Sequence, residues 1–245
     1  TYGDCHVVTD DFTVNANLII TINGAESICA GASISFTASS PGQWISSHPN
    51  ILAINNQGLA TGLNPGSATI SFLQNNSGCM SEPITITVKQ KPTIAIIGPR
   101  NICVGNETQL TPQSGGIWTS DNIIVASVDN TGLVTGLAAG SVQFRFLADN
   151  GCFSDLTPIV TVNPIPIVTI VGSDHICESG GTTSLSPTTG GTWTTSSPLV
   201  ATINNAGIVT GLFPGVVTAI FTSSIGCGSA ISPPITVVAK PNISI

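Results

Sequence analysis

Three stretches of this chain are near copies of one another. "GLATGLNPGSATISF" runs from Gly58 to Phe72, "GLVTGLAAGSVQFRF" from Gly132 to Phe146 and "GIVTGLFPGVVTAIF" from Gly207 to Phe221, at offsets of 74 and 75 residues. A fixed period of that size means that one small structural unit is built several times over. The 245 residues hold a little over three periods, so a row of three small domains is expected rather than one large one. In that frame residues 18–90, 91–165 and 166–240 are three repeats. Residues 1–17 are the last strand of a preceding repeat, and 241–245 the first strand of a following one. "YGDC" (Tyr2–Cys5) aligns with "NSGC" (Asn76–Cys79), and "KPNISI" (Lys240–Ile245) with "KPTIAI" (Lys91–Ile96), so the array is expected to continue in both directions.

Within one period the residues read as β-structure. Apolar residues alternate over short runs bounded by Gly, Pro and Asn, and helical spacing is absent. The first repeat predicts strands near 18–22, 33–38, 43–47, 51–55, 59–63, 67–73 and 84–89. Seven short strands in that length predict a compact immunoglobulin-like β-sandwich, and the whole chain an all-β tandem array of three such domains. "SATISF" shows the logic: Ala68, Ile70 and Phe72 face one way, Ser67, Thr69 and Ser71 the other. The turns "NNQG", "DNTG" and "NNAG" end in Gly58, Gly132 and Gly207, where a tight hairpin needs a positive φ that glycine adopts at little cost. The shared motif is strand–turn–strand punctuation, a requirement of folding rather than catalysis. Trp44, Trp118 and Trp193 each open a strand, and a core position between two sheets is their expected role, with a carbohydrate-stacking platform as the alternative.

The cysteines keep step with the period. Cys29, Cys103 and Cys177 are each 74 residues apart, and Cys79, Cys152 and Cys227 follow them by 50, 49 and 50 residues. The pairing with the fewest assumptions joins Cys29 to Cys79, Cys103 to Cys152 and Cys177 to Cys227, one disulfide per repeat, each tying loops at one end of a sandwich. Closing a loop of about 50 residues stabilises a unit by roughly 4 kcal/mol in the chain-entropy account. Regular bridges imply an oxidising compartment and hence export. Free thiols or metal ligands are the other reading, but no CxxC or Cys/His cluster supports zinc. Cys5 stands one period before Cys79, so its partner is expected outside this chain, with a free or intermolecular thiol as the alternative.

Composition removes several functions. Charged residues are 7% of the chain and the net charge is −7, with only Lys89, Lys91, Lys240, Arg100 and Arg145 positive. Phosphate backbones and anionic membranes need clustered cations, so neither nucleic acid nor a membrane surface is an expected partner. The most apolar run, Pro158–Gly172, carries three prolines and falls short of a span. His6, His48 and His175 occupy unrelated positions in the period and form no ligand spacing. There is no Gly-x-Ser-x-Gly elbow and no EF-hand series of carboxylates. No catalytic residue, cofactor or metal is therefore expected.

The run from Trp44 to Phe72, "WISSHPNILAINNQGLATGLNPGSATISF", resembles the bacterial immunoglobulin-like group 2 repeat. That family shows a Trp-led strand, a "vAtVd" strand, a turn ending in Gly, "lVTGl" and then "pGtatIt". "VASVDNTGLVTGLAAGSV" (Val125–Val142) and "VATINNAGIVTGLFPGVV" (Val200–Val217) follow the same pattern, and the resemblance covers roughly residues 18–240. The cysteine pair, with "GC" before the final strand, departs from the general family. It resembles the variant in very large surface proteins of gliding bacteria, including gliding-motility adhesins exported by type IX secretion. The resemblance implies a non-catalytic stalk or filament segment of a bacterial cell-surface adhesin. Its partners would be neighbouring repeats of the same long chain. A neutral, Thr-rich surface adds the expectation of lateral self-association, and the short proline-bearing linkers that of a semi-rigid rod. A glycan- or protein-binding module of a secreted protein is the alternative.

Overall fold

The computed structural model describes residues 19–23, 26–75 and 77–241. Cys5, His6, the strand expected at 1–17 and all but Pro241 of the one expected at 241–245 lie outside them. Among the described residues every regular element is a strand.

The first repeat contains β1 (Ile20–Asn23), β2 (Ser27–Cys29), β3 (Ser33–Ala38), β4 (Gly42–Ser46), β5 (Leu52–Ile54), β6 (Leu59–Gly62), β7 (Gly66–Gln74) and β8 (Ile84–Lys89). One sheet has the order β1-β3-β6-β5 and is antiparallel throughout. The other has the order β2-β8-β7-β4, antiparallel except that β2 runs parallel to β8. Leaving β2 aside, strands one, two, five and four share one sheet and three, six and seven the other. That is the immunoglobulin sandwich, and β2 is an added strand beside the last one.

The plan recurs twice. In the second repeat one sheet comprises Ala95–Ile96, Glu107–Thr111, Leu133–Gly136 and Ala126–Val128, and Asn101–Cys103 again pairs parallel, with Val160–Asn163. In the third, His175–Cys177 pairs parallel with Ile235–Val238. The chain divides into two compact units. One holds the described residues up to Pro92 together with Ala148–Phe153; the other holds Thr93–Leu147 and the described residues from Ser154 onward.

The cores follow from the period-two alternation of the strands. From β7, Ala68, Ile70 and Phe72 point inward and are buried, with Ile34 and Phe36 from β3, Leu52, Ala60, Ile86 and Val88 around them. Val142, Phe144 and Phe146 do the same in the second repeat, and Val217, Ala219 and Phe221 in the third. Truncating one such side chain, Ile70→Ala for instance, removes buried apolar surface and leaves a cavity, at about 2–5 kcal/mol.

Two expectations are corrected. The first repeat has eight strands, not seven. β2 escaped because three residues with a single buried side chain, Ile28, show no alternation, and its partner β8 lies some 60 residues away. The cysteine pairing also differs. The disulfides are Cys29–Cys152 and Cys103–Cys227, with sequence separations of 123 and 124 residues, while Cys79 and Cys177 are free and exposed. The reason is the direction of β2. Cys29 ends that strand and stands opposite Lys89, the last residue of the parallel β8. Cys79 precedes the start of β8. The six residues of β8, at about 3.3 Å each, place the two cysteines of one repeat about 20 Å apart at opposite poles of the sandwich. A disulfide needs Cα atoms within about 7 Å. The partners available to each cysteine are therefore in the next repeat, where the bridged Cα atoms are 5.7 and 5.5 Å apart.

Candidate functional site: the cysteine bridges

Each first cysteine closes a short strand and opens a tight turn. In the first repeat the Ala32 amide donates to the Cys29 carbonyl at 2.9 Å and the Gly31 amide to the Gly62 carbonyl at 2.8 Å. Asn106 and Gly105 repeat this on Cys103 and Gly136 at 2.9 and 2.8 Å, and Gly181 and Gly180 on Cys177 and Gly211 at 3.1 and 3.0 Å. The turn lies hard against the glycine of the "TGL" motif. A Cβ on Gly136 would stand 3.0 Å from the Cys103 carbonyl oxygen and 2.9 Å from the Val162 side chain. The second half of the repeated motif thus leaves room for the cysteine turn.

Each second cysteine sits in the loop before the last strand. Around Cys152 the Ala148 amide donates to the Cys152 carbonyl at 3.0 Å, the Gly151 amide to the Ala148 carbonyl at 2.8 Å, and the Cys152 amide to Asn150 Oδ1 at 2.9 Å. Gly151 holds φ at +85° to close the loop. The Asn150 amide group donates to the Gln90 carbonyl at 2.9 Å, a polar clasp beside the disulfide. The loop around Cys79 has the same form: the Gln74 amide donates to the Cys79 carbonyl at 3.0 Å, and the Cys79 amide to Ser77 Oγ at 3.1 Å.

Bonding changes the surroundings of the second cysteines. Cys152 and Cys227 are 0% and 4% exposed, whereas Cys79 is exposed in an equivalent loop. Cys29 and Cys103 are half-buried and Cys177 is exposed. The signal in the sequence for β2 was the recurrence of "SIC", "NIC" and "HIC" at one place in the period.

The tryptophans occupy the strand facing β7 or its equivalent. Trp118 and Trp193 are 3% and 5% exposed, pack on Phe146 and Phe221 at ring distances of 5.0 and 5.1 Å, and donate through Nε1 to the carbonyls of Pro112 and Pro187 at 2.8 and 3.0 Å. Trp44 packs on Phe72 at 4.7 Å but is only half-buried. It lines an open hollow of about 440 Å³ with Ser40, Pro41, Asn56, Gln57 and Phe72. The difference has a local cause. Gly115 and Gly190 hold φ at +82° and +84° in the preceding loop, and the first repeat has Pro41 there. Proline fixes φ near −65°, so that loop takes another path and leaves the indole edge open.

The turn glycines Gly58, Gly132 and Gly207 hold φ at +82°, +79° and +75°. Asp129 begins the turn that Gly132 ends, and its Oδ1 accepts from the Thr131 amide at 2.8 Å, the Thr131 hydroxyl at 2.7 Å and the Leu133 amide at 2.9 Å. The Thr131 hydroxyl, then the Leu133 amide, hold this exposed carboxyl below its ordinary value. Asn55 and Asn204 accept the corresponding amides in the other repeats. His175 meets only Asp174, at 2.8 Å on the surface, and His48 pairs with Ser47 Oγ at 3.0 Å. The His175 ring holds the Asp174 carboxyl below its ordinary value. Among the described residues no three His, Cys, Asp or Glu side chains gather as metal ligands, and no helix is long and apolar enough to cross a membrane.

Residues 102–155 match the profile of the bacterial Ig-like domain (group 2). Ice-binding protein 1 of Shewanella frigidimarina (strain NCIMB 400) is 29% identical over 192 residues, which cover 66% of this chain and 21% of that protein. The chain therefore spans about a fifth of that relative's length. Among solved structures, invasin, a bacterial integrin-binding protein, aligns over 91% of this chain and 59% of its own at 14% identity and a TM-score of 0.42. The C-terminal 282-residue fragment of intimin, solved with the intimin-binding domain of its translocated receptor, aligns over 72% of this chain and 57% of its own at 15% identity and a TM-score of 0.35.

Proposed function

We propose that this chain is a non-catalytic structural segment of a bacterial cell-surface adhesin, whose immunoglobulin-like repeats are tied covalently to one another against pulling. One observation carries the reading: Cys29–Cys152 and Cys103–Cys227 join equivalent positions one period apart, each coupling a repeat to the next. A bridge within a repeat guards that repeat's own fold. A bridge from one repeat to the next limits how far their cysteines can be drawn apart, which is of use to a chain under tension and of none to a freely diffusing enzyme. Stable disulfides favour an extracellular location, and the group 2 profile favours a bacterial source. The finer reading, a gliding-motility adhesin exported by type IX secretion, rests on the pattern of cysteines in the repeat. The partners in this reading are adjoining repeats.

The test is peptide mapping without reductant. Trypsin cuts at Lys89, Arg100 and Arg145, which puts Cys29 and Cys79 on one peptide and Cys152, Cys177 and Cys227 on another. The bridges hold those two peptides together, and they hold Cys103's peptide as well. Release of the first peptide as a separate species overturns the reading. The hollow beside Trp44 favours a second reading for the first repeat alone, a glycan-binding module. A glycan array decides it: a stalk gives no specific hits, and hits lost in Trp44→Ala establish the module.

A further inference from the structure

We infer that Cys79 and Cys177 are the two open halves of the bridge seen twice within the chain, and that they covalently join a second copy of this chain. The inference rests on the repeat-to-repeat reading of the bridges and extends it to a docking pair with a defined polarity. In both closed bridges the first cysteine of one repeat takes the second cysteine of the following repeat. Cys177 is a first cysteine. It ends a strand parallel to Ile235–Val238, as Cys29 ends β2 beside β8, and its turn has the same two amide–carbonyl bonds. Cys79 is a second cysteine, in a loop that shares its backbone bonds and its positive-φ glycine, Gly78 at +67°, with the loop of Cys152. Both thiols are exposed, in contrast to bonded Cys152 and Cys227, which are buried. Met80, beside Cys79, is 59% exposed, and Phe153, beside bonded Cys152, is 50% exposed. The loop is thus formed before its partner arrives, and each thiol presents the complement of the other.

The bond forms by thiol–disulfide exchange with a small-molecule disulfide such as oxidised glutathione. The Cys177 thiolate attacks the oxidant, releases one glutathione thiol and forms a mixed disulfide. The Cys79 thiolate of the second copy then displaces the second glutathione. Two cysteine thiols become one disulfide as one oxidant disulfide becomes two thiols, which carry the two protons.

The test uses the full chain with Cys5→Ser, so that only the two thiols in question remain free. One variant adds Cys79→Ser and the other Cys177→Ser. Both positions are exposed, and matched thermal melts confirm folding. In a glutathione redox buffer the two variants mixed are expected to give a dimer reversed by dithiothreitol, and each alone to stay monomeric. Non-reduced chymotryptic mapping is expected to show Cys177 of one chain bonded to Cys79 of the other. A mixture that stays monomeric overturns the proposal, as does either variant alone dimerising as readily as the mixture. The same map shows Cys29–Cys152 and Cys103–Cys227. If these are present and the dimer is not, the docking pair fails alone; if they are absent, the reading beneath it fails too.

Discussion

Pulling the chain from its two ends tests the crossed bridges directly. Cys29 and Cys227 are 198 residues apart (227 − 29). At about 3.5 Å per extended residue, a fully reduced and unfolded chain spans about 690 Å between them. With both bridges closed the shortest covalent route runs from Cys29 across to Cys152, back along the chain to Cys103 and across to Cys227. That backward segment is 49 residues (152 − 103), about 170 Å when taut. Reduction is therefore expected to lengthen the unfolded molecule by about 520 Å in single-molecule force spectroscopy. Pairing within repeats would give the oxidised chain the same 49 residues, 24 between Cys79 and Cys103 and 25 between Cys152 and Cys177, so substitutions decide. Cys29→Ser leaves 74 residues before Cys103 (103 − 29), and the oxidised span grows by about 90 Å. Cys177→Ser leaves it unchanged. If Cys177→Ser lengthens the oxidised chain by about 175 Å, the 50 residues between Cys177 and Cys227, the argument is refuted. Closing a loop of 123 residues also stabilises the folded state by about 5 kcal/mol in the chain-entropy account, to be read as a drop in melting temperature on reduction.

Three further outcomes are expected. Gly132→Ala forces a Cβ to 2.7 Å from the Leu110 carbonyl oxygen at φ +79°, and costs about 2–3 kcal/mol in denaturant melts; Gly115→Ala, at φ +82° with open space around it, costs about 1 kcal/mol, and equal losses contradict the steric argument. Asp129 is held ionised, so its turn contributes stability at pH above the ordinary carboxylate value and loses it as pH falls through the lower folded value. Asp129→Asn, which copies Asn55 and Asn204, is expected to keep stability at neutral pH and to remove that acid dependence, as followed by NMR titration and melts. Trp193→Ala is expected to cost about 3–5 kcal/mol in a urea melt, and Trp44→Ala distinctly less, because Trp44 is half-buried beside an open hollow; equal costs would show that the hollow is closed in solution.

The fold was legible where a residue's neighbours along the chain decide its place. "SATISF" sets Ala68, Ile70 and Phe72 on one face by alternation alone, and all three are buried. The all-β sandwich followed from such runs and from glycine-ended turns. What was illegible depended on direction. Cys29 and Cys79 both precede a strand, and sequence spacing does not say whether those strand starts share a pole. Only the parallel register of β2 on β8 separates them. Pairing nearest neighbours in sequence is a sound prior when loop entropy alone decides, but here geometry forbids it. The half-exposed state of Trp44 had a sign in the sequence, Pro41 where the other repeats have Gly115 and Gly190, yet its effect follows only from the positive φ of those glycines.

The two disulfide loops overlap, since residues 103–152 belong to both. A proteolytic nick anywhere between Cys29 and Cys227 therefore never yields two separate fragments. A break before Cys103 is spanned by one bridge, a break after Cys152 by the other, and a break between them by both. One-per-repeat staples would have left residues 80–102 and 153–176 as places where a single cut severs the chain. Overlapped like roof tiles, the bridges give an exposed, irreplaceable molecule tolerance of its first backbone break.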